Sequence, residues 1–384
     1  MRILMFNYEF PPIGGGGGWV SYFLGKQFVE AGHEVRLITS RFRDLPKEEM
    51  VEGFRVYRVP TLRKNRSTCA VHEMLTYAIS SSVYGFKCVK SFHPEIIQVF
   101  FGIPSGGGAY LLQKVFGIPY IVFLGGRDIP RQNPDPPYYR LLYGLLAPVI
   151  KAIWGNAAAV VACSGGLREL ALRTEPNIDI NTIPDGLDVN RFSPIPRGAH
   201  SERVRILTVG RLIPRKDVQL LIRALPQLIQ NATRDFEVEI VGDGPCRSNL
   251  VKLAEELRVS HKVRFAGSVP YSELPEKYQS ADIFALCSLA EGMPLVVLEA
   301  MGSGLPVVAS RVQGVEDVVK VGINGCLFNA GDVDALARQL ASLIDDDESR
   351  RKMGIASVIQ AQRYDWKNIA QSYLNIYKRV TCAS

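Results

Sequence analysis

The sequence predicts an α/β protein made of two successive doubly wound layers. Three observations carry this expectation. The chain has 384 residues, more than one hydrophobic core usually supports. Short apolar runs alternate with helix-length amphipathic stretches through both halves, the βαβα order of a parallel sheet covered by helices. The alternation breaks once, at the polar, proline-rich stretch Ser193-Pro194-Ile195-Pro196-Arg197-Gly198, which reads as an interdomain linker.

In the first half the apolar runs at 3–6, 35–39, 96–100, 120–123 and 158–162 read as buried parallel strands,. Helix candidates at 20–31, 69–90 and 138–153 fall between them. In the second half the strand candidates are 205–209, 238–241, 263–266, 283–285 and 307–309, with helices near 217–230, 247–258, 295–302 and 332–344. The last stretch, about 365–380, places Trp366, Ile369, Tyr373, Ile376 and Tyr377 near helical spacing and reads as a packed terminal helix,. The expected division is therefore 1–190 and 191–364, with a cleft between. Ligands of such sheets bind outside the carboxyl ends of the strands.

Composition excludes several classes. No apolar run approaches the roughly 18 residues that span a bilayer, and the run at 1–6 is too short for a signal peptide. Seven scattered cysteines without a CxxC pair exclude a cysteine zinc cluster and point to a reducing, cytoplasmic compartment. The net charge of +7 is mild for this size and does not indicate nucleic acid. Part of it is local: Arg55, Arg58, Arg63, Lys64 and Arg66 follow Arg41, Arg43 and Lys47. Two readings stand there, a solvated loop and attraction to an anionic membrane surface or acceptor. The apolar stretch 138–154 likewise reads as a core helix first and a membrane-docking face second.

Three segments could carry chemistry. Pro11-Pro12-Ile13 and the glycine run 14–18 follow the first strand and precede a helix. Glycines let backbone N–H groups approach a ligand closely, and the helix N-terminus adds positive dipole. Gly15, Gly16 and Gly17 are candidate phosphate contacts, against the alternative of a surface loop. The spaced glycines of a dinucleotide fingerprint are absent, and Arg41 stands near where its acidic ribose ligand would be. Second, Arg211 and Lys216 sit at the carboxyl edge of the first strand of the second half, where a guanidinium and an ammonium suit a diphosphate leaving group. Third, Glu291-Gly292-Met293-Pro294-Leu295 runs into a helix start with Pro294 near its first turn, and Glu299 lies just over one turn inside. Two carboxylates would then flank free amides at a helix N-terminus, acceptors for sugar hydroxyls beside donors for phosphate. The plain alternative is two surface glutamates near a helix N-terminus.

The block E-G-M-P-L-V-V-L-E-A-M-G-S-G-L-P-V-V-A-S at 291–310 resembles the signature of family 4 glycosyltransferases, retaining enzymes of the GT-B fold. V-G-R-L-I-P-R-K, V-G-D-G-P at 241–245, I-P-D-G-L-D at 183–188, P-P-I-G-G-G-G-G and A-G-H-E-V at 31–35 resemble other segments of that family, in order, over nearly the whole chain. The resemblance implies two Rossmann-like domains facing across a cleft. It implies that Glu291 accepts from donor-sugar hydroxyls and that amides of Gly292, Met293, Pro294 and Leu295 border sugar or phosphate. Arg211 and Lys216 would hold the diphosphate, Glu299 would bind ribose, and the turn with Gly242 and Gly244 would lie near the nucleobase. The terminal helix would pack back on the first domain. No metal or other cofactor is implied. The implied partners are a nucleotide-sugar donor and a glycan or lipid-linked acceptor; the expected location is the cytoplasm, with peripheral contact at the inner face of the membrane as a further option. Many relatives carry a histidine in a His-Gly-x-Asp segment. Here Leu124-Gly125-Gly126-Arg127-Asp128 stands in its place, with Gly125 at the histidine position. Asp128 is the remaining candidate on that edge, against a turn-capping role. Two other functions stay open: a GT-B sugar phosphorylase or nucleotide-sugar hydrolase or epimerase, and a non-catalytic nucleotide-sugar or glycan-binding protein.

Overall fold

The computed structural model describes residues 1–66, 69–126, 128–130, 137–195 and 203–382. They form two compact units, Met1–Asp185 with Trp366–Ser384, and Gly186–Asp365.

The first unit runs β1 (Arg2–Phe6), α1 (Gly16–Glu30), β2 (Glu34–Ser40), β3 (Glu48–Val51), β4 (Phe54–Val59), α2 (Val71–Phe92), β5 (Ile96–Phe100), α3 (Gly102–Phe116), β6 (Tyr120–Leu124), α4 (Pro137–Gly155), β7 (Ala159–Ala162), α5 (Gly165–Thr174) and β8 (Ile180–Thr182). The strands form one sheet in the order β3-β4-β2-β1-β5-β6-β7-β8. It is parallel apart from the antiparallel β3–β4 pair. Ile3, Leu4, Met5 and Phe6 of central β1 are wholly buried, as expected for a strand covered on both faces.

The second unit runs β9 (Arg203–Val209), α6 (Val218–Asn231), β10 (Asp235–Val241), α7 (Arg247–Glu256), β11 (Val263–Gly267), α8 (Leu274–Gln279), β12 (Ile283–Leu286), α9 (Leu295–Gly302), β13 (Val307–Ser310), α10 (Val315–Val318), β14 (Gly325–Phe328), α11 (Val333–Asp345) and α12 (Asp347–Ala361). Its sheet is parallel throughout, in the order β11-β10-β9-β12-β13-β14,. That is the dinucleotide-fold order, with the strand sequence reversing beside β9. The last helix, α13 (Trp366–Cys382), belongs to the first unit. Trp366 stacks on Phe23 of α1 at 5.3 Å and 13°. The Tyr377 hydroxyl donates to Oε1 of Gln98 at 2.7 Å, satisfying a polar side chain fully buried in β5,.

Several boundaries differ from the sequence reading, each for a physical reason. The first unit ends at Asp185 rather than 190. Phe192 packs edge-on against Tyr278, and the Leu187 N–H donates to the Tyr364 carbonyl at 2.6 Å, tying 186–192 to the second unit. The linker reading at 193–198 lies, from Pro196 onward, outside the described residues. The glycine run is not all loop: Gly14 and Gly15 lie in the turn, and α1 starts at Gly16, four residues before the expected 20. The segment with Arg55 and Arg58 is not a solvated loop either. It is strand β4, whose Phe54, Val56 and Val59 point into the core.

Candidate active site

In the second unit the strand order reverses between β9 and β12, so the loops after these strands must meet at the carboxyl edge. After β9 the chain passes Gly210 and Arg211 into a single 3₁₀ turn, Pro214–Lys216, and Asp217 begins α6. After β12 it reaches Glu291 and then α9, with Pro294 at the N-cap, one residue earlier than its expected first-turn place. The Leu289 N–H donates to the Arg215 carbonyl at 2.8 Å. Beside this staple, Lys216 Nζ lies 2.6 Å from Glu291 Oε1, and both side chains are largely buried. Burial pushes the Glu291 carboxyl up. The Lys216 ammonium and the Arg215 guanidinium outweigh it and hold the group below the usual carboxylate range,. Glu291 is therefore an anion poised at a helix N-terminus between two cations.

Glu299 lies one turn inside α9 and is also buried. Its Oε2 accepts from the Tyr278 hydroxyl at 2.7 Å. Among the described residues no cation offsets its burial, which pushes the carboxyl up to about 7 against the partial relief given by Tyr278,. The two carboxylates of one motif thus differ in character, Glu291 ionised by its neighbours and Glu299 poised near neutrality.

Gly242 and Gly244, which the resemblance places near the nucleobase, are also required by packing. A Cβ on Gly242 would lie 1.9 Å from the Gly210 carbonyl oxygen, and one on Gly244 would lie 2.4 Å from that of Leu212. Gly242 also has φ +135°, where side chains are strained. These glycines let the β10 turn lie on the β9 turn, so they set the position of Arg211 and the 3₁₀ turn. Arg211 itself is half-buried at the carboxyl edge. The amide of Gly292 follows Glu291 in a loop that touches Gly314, whose Cβ would meet the Gly292 oxygen at 2.0 Å. Met293 is buried and Leu295 half-buried at the start of α9.

In the first unit the reversal falls at β1, between β2 and β5. The turn after β1 is held from several sides. Glu9 Oε2 accepts from the Gly15 N–H at 2.9 Å, and the Arg66 carbonyl accepts from the Gly14 N–H at 2.8 Å. Arg63, buried, donates to the carbonyls of Tyr8, Asn65 and Arg66, and Arg66 Nε donates to that of Pro12 at 2.7 Å. The basic residues here are the scaffold of the glycine turn. Arg58 is likewise committed, paired with Glu49 at 2.5 Å. The amides of Gly16 and Gly17 fall in the first turn of α1, which offers them no internal acceptor,.

The loop after β5 supplies a residue with no sequence signature. Phe101 has φ +67°, a costly conformation for an aromatic residue. Its ring fills the space between two glycines. A Cβ on Gly17 would lie 2.2 Å from Phe101 Cζ, and one on Gly125 would lie 2.4 Å from Phe101 Cε1. The space beside Gly125, where the resemblance places an imidazole, is thus taken by a phenyl ring from the loop after β5. Asp128 fixes this arrangement. Its Oδ2 accepts from the Gly102 N–H at 3.0 Å, and its Oδ1 accepts from those of Gly125 at 3.1 Å and Gly126 at 2.9 Å. Burial pushes Asp128 up to about 6 despite these donors. Both its oxygens are engaged and the side chain is buried, so Asp128 acts as a clasp between two loops. That is the turn-holding alternative of the sequence reading.

Among the described residues, no three His, Cys, Asp or Glu side chains are grouped so as to hold a metal ion. None of the seven cysteines is in a disulfide, and Ser164 caps α5 by accepting from the Leu167 N–H. Sequence reasoning missed Arg215, Tyr278 and Phe101. Arg215 could have been found as the second base of the P-R-K turn. The other two show no pattern in the chain.

Two doubly wound units, one with a cation–carboxylate pair at its switch point, define a glycosyltransferase of the GT-B fold, and comparison with known proteins agrees. The model for glycosyl transferases group 1 matches residues 192–357, and that for the glycosyl transferase 4-like domain matches 15–186. The D-inositol 3-phosphate glycosyltransferase of Corynebacterium urealyticum is 34% identical, over 98% of this chain and 95% of its own. N-acetyl-alpha-D-glucosaminyl L-malate synthase of Bacillus anthracis is 28% identical over 95% and 94%. Among solved structures, sucrose-phosphate synthase from Thermosynechococcus elongatus superposes with a TM-score of 0.85 at 22% identity over the whole of both chains. The chain belongs to the group 1 glycosyl transferases.

Proposed function

We propose that the protein is a retaining, metal-independent glycosyltransferase that moves a sugar from a UDP- or GDP-linked donor to a glycan, lipid-linked or small-molecule acceptor. The Lys216–Glu291 pair at the switch point carries this reading. Departure of a nucleoside diphosphate builds charge on its oxygens, and fixed cations at a helix N-terminus lower that barrier. Lys216, Arg211 and Arg215 would supply them. Glu291, kept ionised, would accept from hydroxyls of the sugar, and Glu299 from those of the ribose. The N-termini of α9 and α1 would border phosphate or sugar through Gly292, Met293 and Leu295 and through Gly15, Gly16 and Gly17. Asp128 and Phe101 would position the α1 turn rather than touch the reacting bond. The names of the curated relatives, which join sugars to an inositol phosphate or to malate, are consistent with a polar acceptor.

The test is a thermal-shift panel of UDP- and GDP-sugars, followed by incubation with the stabilising donor alone and with acceptors. A ligand that binds the folded state must raise its stability. Stabilisation by one nucleotide family, acceptor-dependent release of its diphosphate and an α-linked product from an α-linked donor are expected. Release without acceptor at the same rate, or donor synthesis from a sugar phosphate, would replace transfer by hydrolysis or phosphorolysis.

A further inference from the structure

The outer helices of the first unit do not look like helices that face water. Right-handed crossovers place α2, α3 and α4 side by side on one face of the sheet, opposite α1 and α13. The inner face of α2 is ordinary, with Tyr77, Ser81 and Gly85 buried. Its outer face carries Val71, Leu75, Ile79 and Val83, spaced by four and 45–61% exposed. A surface helix normally presents polar residues there. The same pattern recurs on α4 with Leu141, Leu145 and Val149, and on α3 with Leu111 and Val115. Exposed apolar rows on neighbouring helices are a feature of interaction surfaces.

Charge identifies the partner. The three helices contain one carboxylate, Glu73. It is buried and accepts from the backbone N–H groups of Lys64 and Ala70. Against none exposed stand the exposed ammoniums of Lys87, Lys90, Lys114 and Lys151, all toward the C-terminal ends of their helices. Among the described residues, Lys151 alone of these pairs with a carboxylate, that of Glu175 at the end of α5, at 3.2 Å. The face is therefore an apolar band bordered by cations. A second copy of this chain fits poorly, because self-pairing of an acid-free face brings like charges together. A surface with a hydrocarbon interior and a phosphate border fits both features.

We infer that the α2–α3–α4 face docks on an anionic lipid bilayer, with Leu75, Ile79, Leu141 and Leu145 in the acyl boundary and the lysines among the headgroup phosphates. Among the described residues no helix is long and apolar enough to cross a membrane, so the contact is peripheral. Helices in a parallel α/β layer run opposite to the strands. The first turns of α2 and α4, with Val71, Leu75 and Leu141, thus lie toward the carboxyl edge that carries the glycine turn and Phe101. Docking would bring that edge close to the lipid surface.

The test is sedimentation of the full chain with sucrose-loaded vesicles, either phosphatidylcholine alone or with about 30% phosphatidylglycerol. Binding to the anionic vesicles is expected, weakened by added salt. Leu75→Glu with Ile79→Glu, and Leu141→Glu with Leu145→Glu, should each lower partitioning at least about tenfold. Lys87→Glu with Lys90→Glu should do so at low salt. These side chains are exposed, so the variants are expected to keep the wild-type melting temperature. No sedimentation with anionic vesicles, or glutamate variants that bind like wild type, would overturn the inference. So would a dimer in light scattering that the glutamate pairs dissociate. The assay contains no nucleotide sugar, so its outcome is separable from that of the donor reading.

Discussion

Lys216 Nζ sits 2.6 Å from Glu291 Oε1, joining residues 75 positions apart through the two strands that flank the switch point. The pair is buried enough that removing Lys216 leaves the Glu291 charge with only the Arg215 guanidinium to offset it. Lys216→Ala is expected to cost about 3–5 kcal/mol in urea unfolding, the scale for breaking a buried ion pair. Its turnover at saturating donor should fall about 10²–10³-fold, the scale for losing one transition-state donor. Glu291→Gln keeps an acceptor without the charge and should unfold closer to wild type. Near-normal turnover in Lys216→Ala would remove the cation from the mechanism, whatever its stability.

Phe101 and Gly125 should behave as one unit. Gly125 does not have a positive φ, so only space excludes a side chain there, and Phe101 takes that space. Gly125→Ala alone is expected to destabilise by about 1–3 kcal/mol through overpacking. Combined with Phe101→Ala, the added methyl loses its closest contact, and only Phe123 Cε1 at 3.0 Å must give. The double variant should be more stable than the sum of the single changes, with a coupling of about 0.5–3 kcal/mol. Strict additivity in a double-mutant cycle would mean that the ring and the glycine are not in contact.

The contrast between these two pairs shows where the sequence is legible. Strand 96–100 and helix 295–302 were readable to the residue, because an unbroken apolar run and a Gly-Met-Pro start leave few alternatives. The carboxylates and bases of the second unit stood out because charge at a strand's carboxyl edge is conspicuous. The β3–β4 pair did not, since Arg55 and Arg58 hid the inward Phe54, Val56 and Val59. Only the structure shows Arg58 neutralised by Glu49. The start of α1 was hidden by low helix propensity. Gly16, Gly17 and Gly18 read as loop, but tertiary packing overrides that preference because Phe101 leaves no room for a side chain at 17. Phe101, Tyr278 and the clasp made by Asp128 depend on loops brought together by strand order, and no local pattern records them.

Chelation tests the proposed division of labour between side chains and metal. If Lys216, Arg211 and Arg215 stabilise the departing diphosphate, they do the work a divalent cation would otherwise do. Turnover measured after dialysis against EDTA should equal that of the untreated protein. A loss of activity restored by Mg²⁺ or Mn²⁺ would show that the cations of this site are insufficient alone.

Glu299, in its proposed ribose-binding role, should make donor binding dependent on pH near neutrality. Its folded-state value is pushed by burial to about 7, from an ordinary 4.5. Between these values the folded protein holds a proton that the unfolded chain releases, so this group's contribution to stability falls as pH rises from 4.5 through 7. Ribose binding runs the other way. The ionised carboxylate can accept from two hydroxyls, whereas the neutral acid must donate with one oxygen. Nucleotide affinity should therefore tighten as pH rises through about 7, approaching tenfold per unit below that midpoint. Tyr278→Phe removes the hydrogen bond that favours the anion, so the midpoint should move to higher pH. Glu299→Gln should bind more weakly and lose this pH dependence. Calorimetric titrations of the nucleoside diphosphate between pH 5.5 and 8.5 would decide it. The nucleotide's own phosphate also titrates near pH 6, about the value for a phosphate monoester, and the Gln variant measures that background. The same profile in wild type and Glu299→Gln would take the ribose role away from this residue.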